Sequence, residues 1–235
     1  MYYGGYGLYF DWTYILVILA FVLSLIVQTT MQSTFRKYSR VRSSYGMTGA
    51  EVAQRILESE GIYGVQVRRV RGSLTDHYDP RSKTVNLSES IYGSTSVAAL
   101  GVAAHECGHA IQDAKDYAPL RIRSALVPAA DFGSRFSWIL FFIGLVFQSG
   151  ILTEIGILLF CLALLFQLVT LPVEFNASHR AMQKLKTMGM EEGRELSDTR
   201  KVLIAAAMTY VAAVCASLLY LLRMIILSGG SRRRD

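Results

Sequence analysis

His105-Glu106-Cys107-Gly108-His109, entered through the unbroken run Val97-Ala98-Ala99-Leu100-Gly101-Val102-Ala103-Ala104, decides how the chain is read. The run is apolar and helix-forming, and Ser94, Thr95 and Ser96 each offer an N-cap. This predicts a helix that extends to about Ala114. On a helix, positions i and i+4 share a face. Both imidazoles of an H-E-x-x-H motif can therefore reach one ion, with the intervening glutamate beside it. That is the arrangement a zinc hydrolase needs. Two of the chain's four histidines fall within these five residues. Cys107 lies on another face of the helix and is not expected to bind metal.

Outward from the motif, on both sides, lie segments suited to a bilayer. The chain is 52% hydrophobic with a mean hydropathy of +0.33, too apolar for an ordinary soluble domain of this length. Residues 12–30, 155–171 and 202–222 carry no charge, and each is about 20 residues, enough to cross the hydrocarbon core as a helix. Residues 137–148 are apolar but short and need the turns from Pro128 onward to span. The expectation is a mainly α integral membrane protein with about four transmembrane helices and a small cytosolic α+β part. No basic residue precedes residues 12–30 and no small-x-small site follows them, so this span reads as a retained anchor. The three cysteines support no disulfide framework, since Cys161 and Cys215 lie within apolar spans.

The net charge of +6 suggests nucleic acid until the charges are located. Residues 1–30 contain no Lys or Arg, whereas residues 31–136 contain fourteen and residues 173–201 contain six. This is the positive-inside pattern, with an outside N-terminus and both motif-bearing segments in the cytosol. The basic excess then reports topology and contact with anionic lipid, not nucleic-acid binding. Arg223 and the tail Arg232-Arg233-Arg234 run against the pattern, because four spans place the C-terminus outside.

Five segments follow. Residues 1–30 are a Tyr- and Gly-rich lead-in and the first span. Residues 31–127 form a cytosolic α+β part holding the H-E-x-x-H helix. Residues 128–171 are the second and third spans, residues 172–201 a second cytosolic segment, and residues 202–235 the fourth span and basic tail. Within the α+β part, Thr48-Gly49-Ala50-Glu51 is a capping box for a helix ending near Gly61. Alternation of apolar and polar residues predicts strands over 65–70, 74–78 and 83–87, with a turn at Asp79-Pro80-Arg81-Ser82. An edge of that sheet could accept an extended peptide as an added strand. Residues 172–188 look helical and continue the third span through a proline kink, with Gly189 as the stop. Ser197-Asp198 are expected to cap the last helix.

H-E-x-x-H supplies two ligands and a base, and a catalytic zinc takes a third protein ligand. His77, His179, Glu174 and other acids are candidates. Glu174 stands out because it follows Pro172 at the end of an apolar span, although a carboxylate there also fits plain interfacial solvation.

Three pieces in this order resemble the YugP-type neutral zinc metallopeptidases of bacterial membranes. They are Asp76-His77-Tyr78-Asp79-Pro80-Arg81, Ala103-Ala104-His105-Glu106-Cys107-Gly108-His109-Ala110 and Leu171-Pro172-Val173-Glu174-Phe175-Asn176-Ala177-Ser178. The likeness runs from about residue 5 to 225. It is shared more distantly with the HtpX and CAAX-prenyl endopeptidases, whose zinc is held near the cytosolic membrane face by two motif histidines and a downstream glutamate. The resemblance implies His105, His109 and Glu174 as ligands of one zinc per chain and Glu106 as the general base. Ser178 stands where the distant relatives have an Asp, so Asn176 or Ser178 becomes the candidate to hydrogen-bond a ligand instead.

A further donor to the oxyanion is expected. His179 is the first candidate, five residues beyond Glu174 on the same helix, with Arg180 and His77 as alternatives. The expected activity is a metalloendopeptidase acting on a peptide or a membrane protein at the cytosolic face of the bacterial plasma membrane. Two other readings compete. One is a membrane scaffold or chaperone with a structural zinc, completed by a fourth ligand such as His77 or His179. The other is a zinc hydrolase of a lipid substrate.

Overall fold

The computed structural model describes residues 11–231. The Tyr- and Gly-rich lead-in (residues 1–10) and the arginines of the tail (232–234) lie outside the described residues. In chain order the elements are α1 (Tyr14–Tyr38), α2 (Gly49–Ser59), β1 (Gln66–Val70), β2 (His77–Asp79) and β3 (Thr84–Ser88). They continue with α3 (Glu89–Tyr92), α4 (Val97–Ala114), α5 (Ala118–Val146), α6 (Gly150–Thr187) and α7 (Gly193–Ser231).

Four helices, α1, α5, α6 and α7, are long and apolar enough to cross a membrane. Their outer surfaces carry large apolar side chains such as Phe21, Phe142, Ile151 and Leu158, each more than half exposed. A soluble protein would bury such a surface; lipid covers it at no cost. Small residues let the helices approach. A Cβ on Gly156 would stand 2.7 Å from the Phe141 backbone, which sets the close α5–α6 pairing.

The α1–α7 pair is tied at both ends. Near one end the Arg223 guanidinium stacks 4.2 Å from the centroid of the Tyr14 ring and donates to the Thr13 hydroxyl. That hydroxyl in turn donates to Asp11. At the other end Lys201 reaches both Asp198 and the Tyr38 ring. Arg223, which ran against the charge pattern, is thus held by a hydroxyl and an aromatic ring.

The α+β part packs α2, the sheet and α4 around one core. Val52, Ile56 and Leu57 of α2 meet Val85 and Leu87 of β3 and Leu100, Cys107 and Ile111 of α4. Ala181 and Leu185 of α6 complete this core, so the end of that helix belongs to it as well. The sheet order is β1-β3-β2, with β1 parallel and β2 antiparallel to β3. β3 is central and buried, and β2 forms the edge beside α4.

Several local expectations hold. Thr48 and Glu51 make both bonds of a capping box, Ser96 caps α4, and α6 runs unbroken through Pro172. Gly189, at φ +64, follows the end of α6.

Three boundaries differ. β2 begins at His77, not at residue 74, because residues 71–76 form a loop that places Leu74 at φ +58. α5 starts at Ala118, ten residues before Pro128. Pro119 sits in its first turn, where a missing N–H costs nothing, and Pro128 is tolerated inside the helix. α7 begins at Gly193, so Ser197 and Asp198 lie within its second turn instead of capping it. Asp198 pairs there with Lys201 and Arg194.

Candidate metal centre

α4 and α6 cross so closely that a Cβ on Gly108 would lie 2.5 Å from the Ala177 carbonyl oxygen. Only glycine permits that approach. It brings Glu174, 69 residues away in sequence, against the histidine face of α4. His105 Nε2 lies 3.2 Å and His109 Nε2 3.6 Å from the same Glu174 carboxylate oxygen.

Among the described residues, His105, His109 and Glu174 form the group of metal-binding side chains whose ligand atoms all lie within 4.8 Å of one another. Zinc ligands about 2.0–2.1 Å from a tetrahedral ion stand about 3.3–3.4 Å apart. The two histidine-to-Glu174 separations lie close to that spacing.

The remaining ring nitrogens are held too. His105 Nδ1 meets the Ser178 hydroxyl at 3.1 Å, and His109 Nδ1 meets Gln112 Oε1 at 3.0 Å. A nitrogen that donates from Nδ1 leaves Nε2 as the free ligand atom. Gln112, fully buried, also donates to the Val173 carbonyl (2.8 Å) and to Asn176 Oδ1 (3.0 Å). Arg180 donates to that same Asn176 oxygen at 2.7 Å. Ser178 therefore contacts His105 directly, whereas Asn176 reaches His109 only through Gln112.

Burial opposes ionisation of Glu174, but its contacts with the two histidines outweigh burial and hold the carboxyl well below the ordinary range. His109 is buried as well, yet Glu174 beside it raises its pKa. Arg123 of α5 lies 3.7 Å from the second Glu174 oxygen.

Glu106 lines a cleft with two halves that meet at His105, Glu106 and Glu174. One half is apolar, with Met31, Val102, Leu203 and Ala206. The other carries His77, Arg123, Ser124 and Tyr78. Tyr210 of α7 lines both, together with Glu174. Sequence reading did not find Tyr210, Arg123 or Gln112.

His179 does not join the site. Five residues along a helix amount to about 140° of rotation, so His179 points away from Glu174. It is exposed and lines a groove between α6 and α7. His77 lines the polar half of the cleft but bonds the Thr75 carbonyl at 2.9 Å and the Asn86 amide at 3.2 Å. It tethers β2 to β3 and is not among the three clustered donors. Cys107 is buried against the Ala53 carbonyl, and burial pushes its thiol pKa up, as suits a packing residue.

An H-E-x-x-H helix and a glutamate from a later helix, set among helices long and apolar enough to cross a membrane, are features suited to a membrane zinc metallopeptidase. Residues 13–229 match the family described as putative neutral zinc metallopeptidase, and the chain belongs to that family. It is also 48% identical over 216 residues to a Bacillus subtilis (strain 168) protein described as "Putative membrane protease YugP". That match covers 91% of this chain and 96% of the relative. No solved structure matches.

Proposed function

We propose that this chain is a membrane-integral zinc endopeptidase. His105, His109 and Glu174 hold one zinc, and Glu106 is the general base. The single observation that carries this reading is the convergence of both histidine Nε2 atoms on one Glu174 oxygen at zinc-like spacing. When bound there, zinc would supply a Lewis acid that polarises a carbonyl and lowers the pKa of a water towards ~7. Glu106 takes up the proton as that water attacks the carbonyl carbon, then passes it to the leaving amine. Tyr210 takes the place first given to His179, donating its hydroxyl to the developing oxyanion, with the Arg123 charge nearby.

The supply of three protein donors favours catalysis over a structural zinc, for which four are usual. The edge strand β2 favours a peptide over a lipid. Its residues His77 and Tyr78 line the cleft, and an extended substrate can pair with its main chain. A cytosolic site in the plasma membrane accords with the basic residues on the segments that carry the motif, and Arg223, engaged by Thr13 and Tyr14, weighs little against it. The substrate is then a peptide or membrane protein reached from the bilayer surface.

Glu106→Gln in the purified protein should keep about one zinc per chain while hydrolysis of a peptide substrate falls by about 10²–10⁴-fold. Tyr210→Phe should lower kcat with KM little changed. An active Glu106→Gln enzyme would remove this mechanism.

A further inference from the structure

Between α6 and α7, on the side where His179 emerges, lies a groove of about 600 Å³. Two matched stripes build it. Residues 175, 178, 179, 182, 183 and 186 recur at helical spacing on α6, and residues 196, 200, 203, 204 and 207 do so on α7. Each stripe covers eleven residues of rise, so the groove is about 16 Å long. Its two ends differ in chemistry. Phe175, Ile204 and Ala207 line the end that continues the apolar runs of both helices. Lys186 and Arg200 stand towards the other end, and no Asp or Glu lines the groove.

Nearby cations are neutralised: Lys184 pairs with Glu60, and Lys201 with Asp198. Lys186 and Arg200 are exposed, and among the described residues neither makes such an ion pair. A cleft between membrane helices, apolar below and cationic above with no acid of its own, has the shape and charge of one amphipathic anion.

We propose that this groove is a binding site for an anionic phospholipid of the surrounding bilayer, with the phosphate between Lys186 and Arg200 and an acyl chain along Phe175, Ile204 and Ala207. The zwitterionic lipid fills the apolar end equally well but lacks the net charge that the two cations select. Binding requires no zinc and no turnover, so it stands or falls apart from the peptidase reading.

The test places a photoreactive side chain in the groove. Full-length protein carrying Ile204→p-benzoylphenylalanine is reconstituted in phosphatidylcholine bilayers with a minor share of phosphatidylglycerol, irradiated, and its adducts identified by mass spectrometry. The ratio of phosphatidylglycerol to phosphatidylcholine adducts should exceed the bilayer ratio several-fold. Removing one cation, by Lys186→Gln or Arg200→Gln, should lower that enrichment by up to about fivefold, the equivalent of about 1 kcal/mol per basic side chain at the surface. Arg68→Gln on β1 should leave it unchanged, and an unaltered Tm and helical circular dichroism report that each variant is folded. Soluble glycerol phosphate should not compete, having no chain to occupy the apolar end.

An adduct ratio equal to that of the bilayer, or an enrichment that survives loss of both cations, would overturn the proposal. Adducts formed mainly with polypeptide would give the groove to a protein segment instead. Suppression by glycerol phosphate would make it a site for free phosphate.

Discussion

Gln112 shows how much of a metal site lies outside its ligands. It has no exposure to solvent, and its amide joins His109 to the α6 backbone and to Asn176. Gln112→Leu keeps the volume but leaves the His109 Nδ1 proton without an acceptor, and the ring loses its fixed orientation. Zinc affinity should fall by about 10–100-fold, measured by competition with a chromophoric chelator. An unchanged affinity would mean that packing alone positions His109.

A local signal for Gln112 was present, since it lies three residues beyond His109 on the motif helix. Tyr210 and Arg123 offered none. Each arrives from a helix distant in sequence, and nothing around them marks a polar residue facing a metal. His179 is the converse case, a residue type suited to catalysis that helical phase turns away from Glu174 and the two motif histidines.

At the scale of elements, legibility followed the range of the interactions. α2 and α4 are marked by caps whose bonds span three residues, and both helices occur where Thr48 and Ser96 place them. The start of β2 depends on pairing with β3, eight or more residues on, so alternation alone put it too early. α5 and α7 begin upstream of where their apolar runs suggest. Charges interrupt both starts, Arg121 and Arg123 in α5 and Arg194, Glu195 and Asp198 in α7, so neither first turn belongs to an uncharged run. Glu174 was legible as an oddity beside Pro172, and family likeness made it a ligand. What delivers it is the α4–α6 crossing at Gly108. Gly108→Ala puts a methyl group against the Ala177 carbonyl, and the helices must separate. The substitution should cost about 1–3 kcal/mol and weaken zinc binding with it, read as a lower Tm and faster zinc loss to a chelator. Unaltered zinc retention would show that the crossing can widen without moving Glu174.

Across the whole molecule, the turn joining α6 to α7 holds a buried acid outside the metal site. Glu191 is 1% exposed, and among the described residues neither of its carboxylate oxygens has a hydrogen-bond partner. The nearby Thr199 hydroxyl donates to the Val97 carbonyl instead. Burial raises the carboxyl to about 8, and the charges of Glu195 and Asp198 push in the same direction. The folded pKa therefore lies above the unfolded value of about 4.5. Between these values the unfolded chain releases a proton that the native state keeps, so stability falls as pH rises from about 4.5 to 8. Below that window the effect is absent. Glu191→Gln should flatten the slope and stabilise the protein near pH 8 by on the order of a few kcal/mol, seen as a Tm that no longer drops with pH. An identical pH dependence in the variant would place the proton elsewhere.

The most direct measurement is zinc K-edge X-ray absorption on the purified, membrane-solubilised protein, alongside its Glu174→Ala variant. One zinc per chain should show two imidazole nitrogens and a carboxylate oxygen at about 2.0–2.1 Å, with the carboxylate contribution lost in the variant. A shell containing sulfur at about 2.3 Å, or a spectrum indifferent to Glu174→Ala, would contradict a centre built from His105, His109 and Glu174.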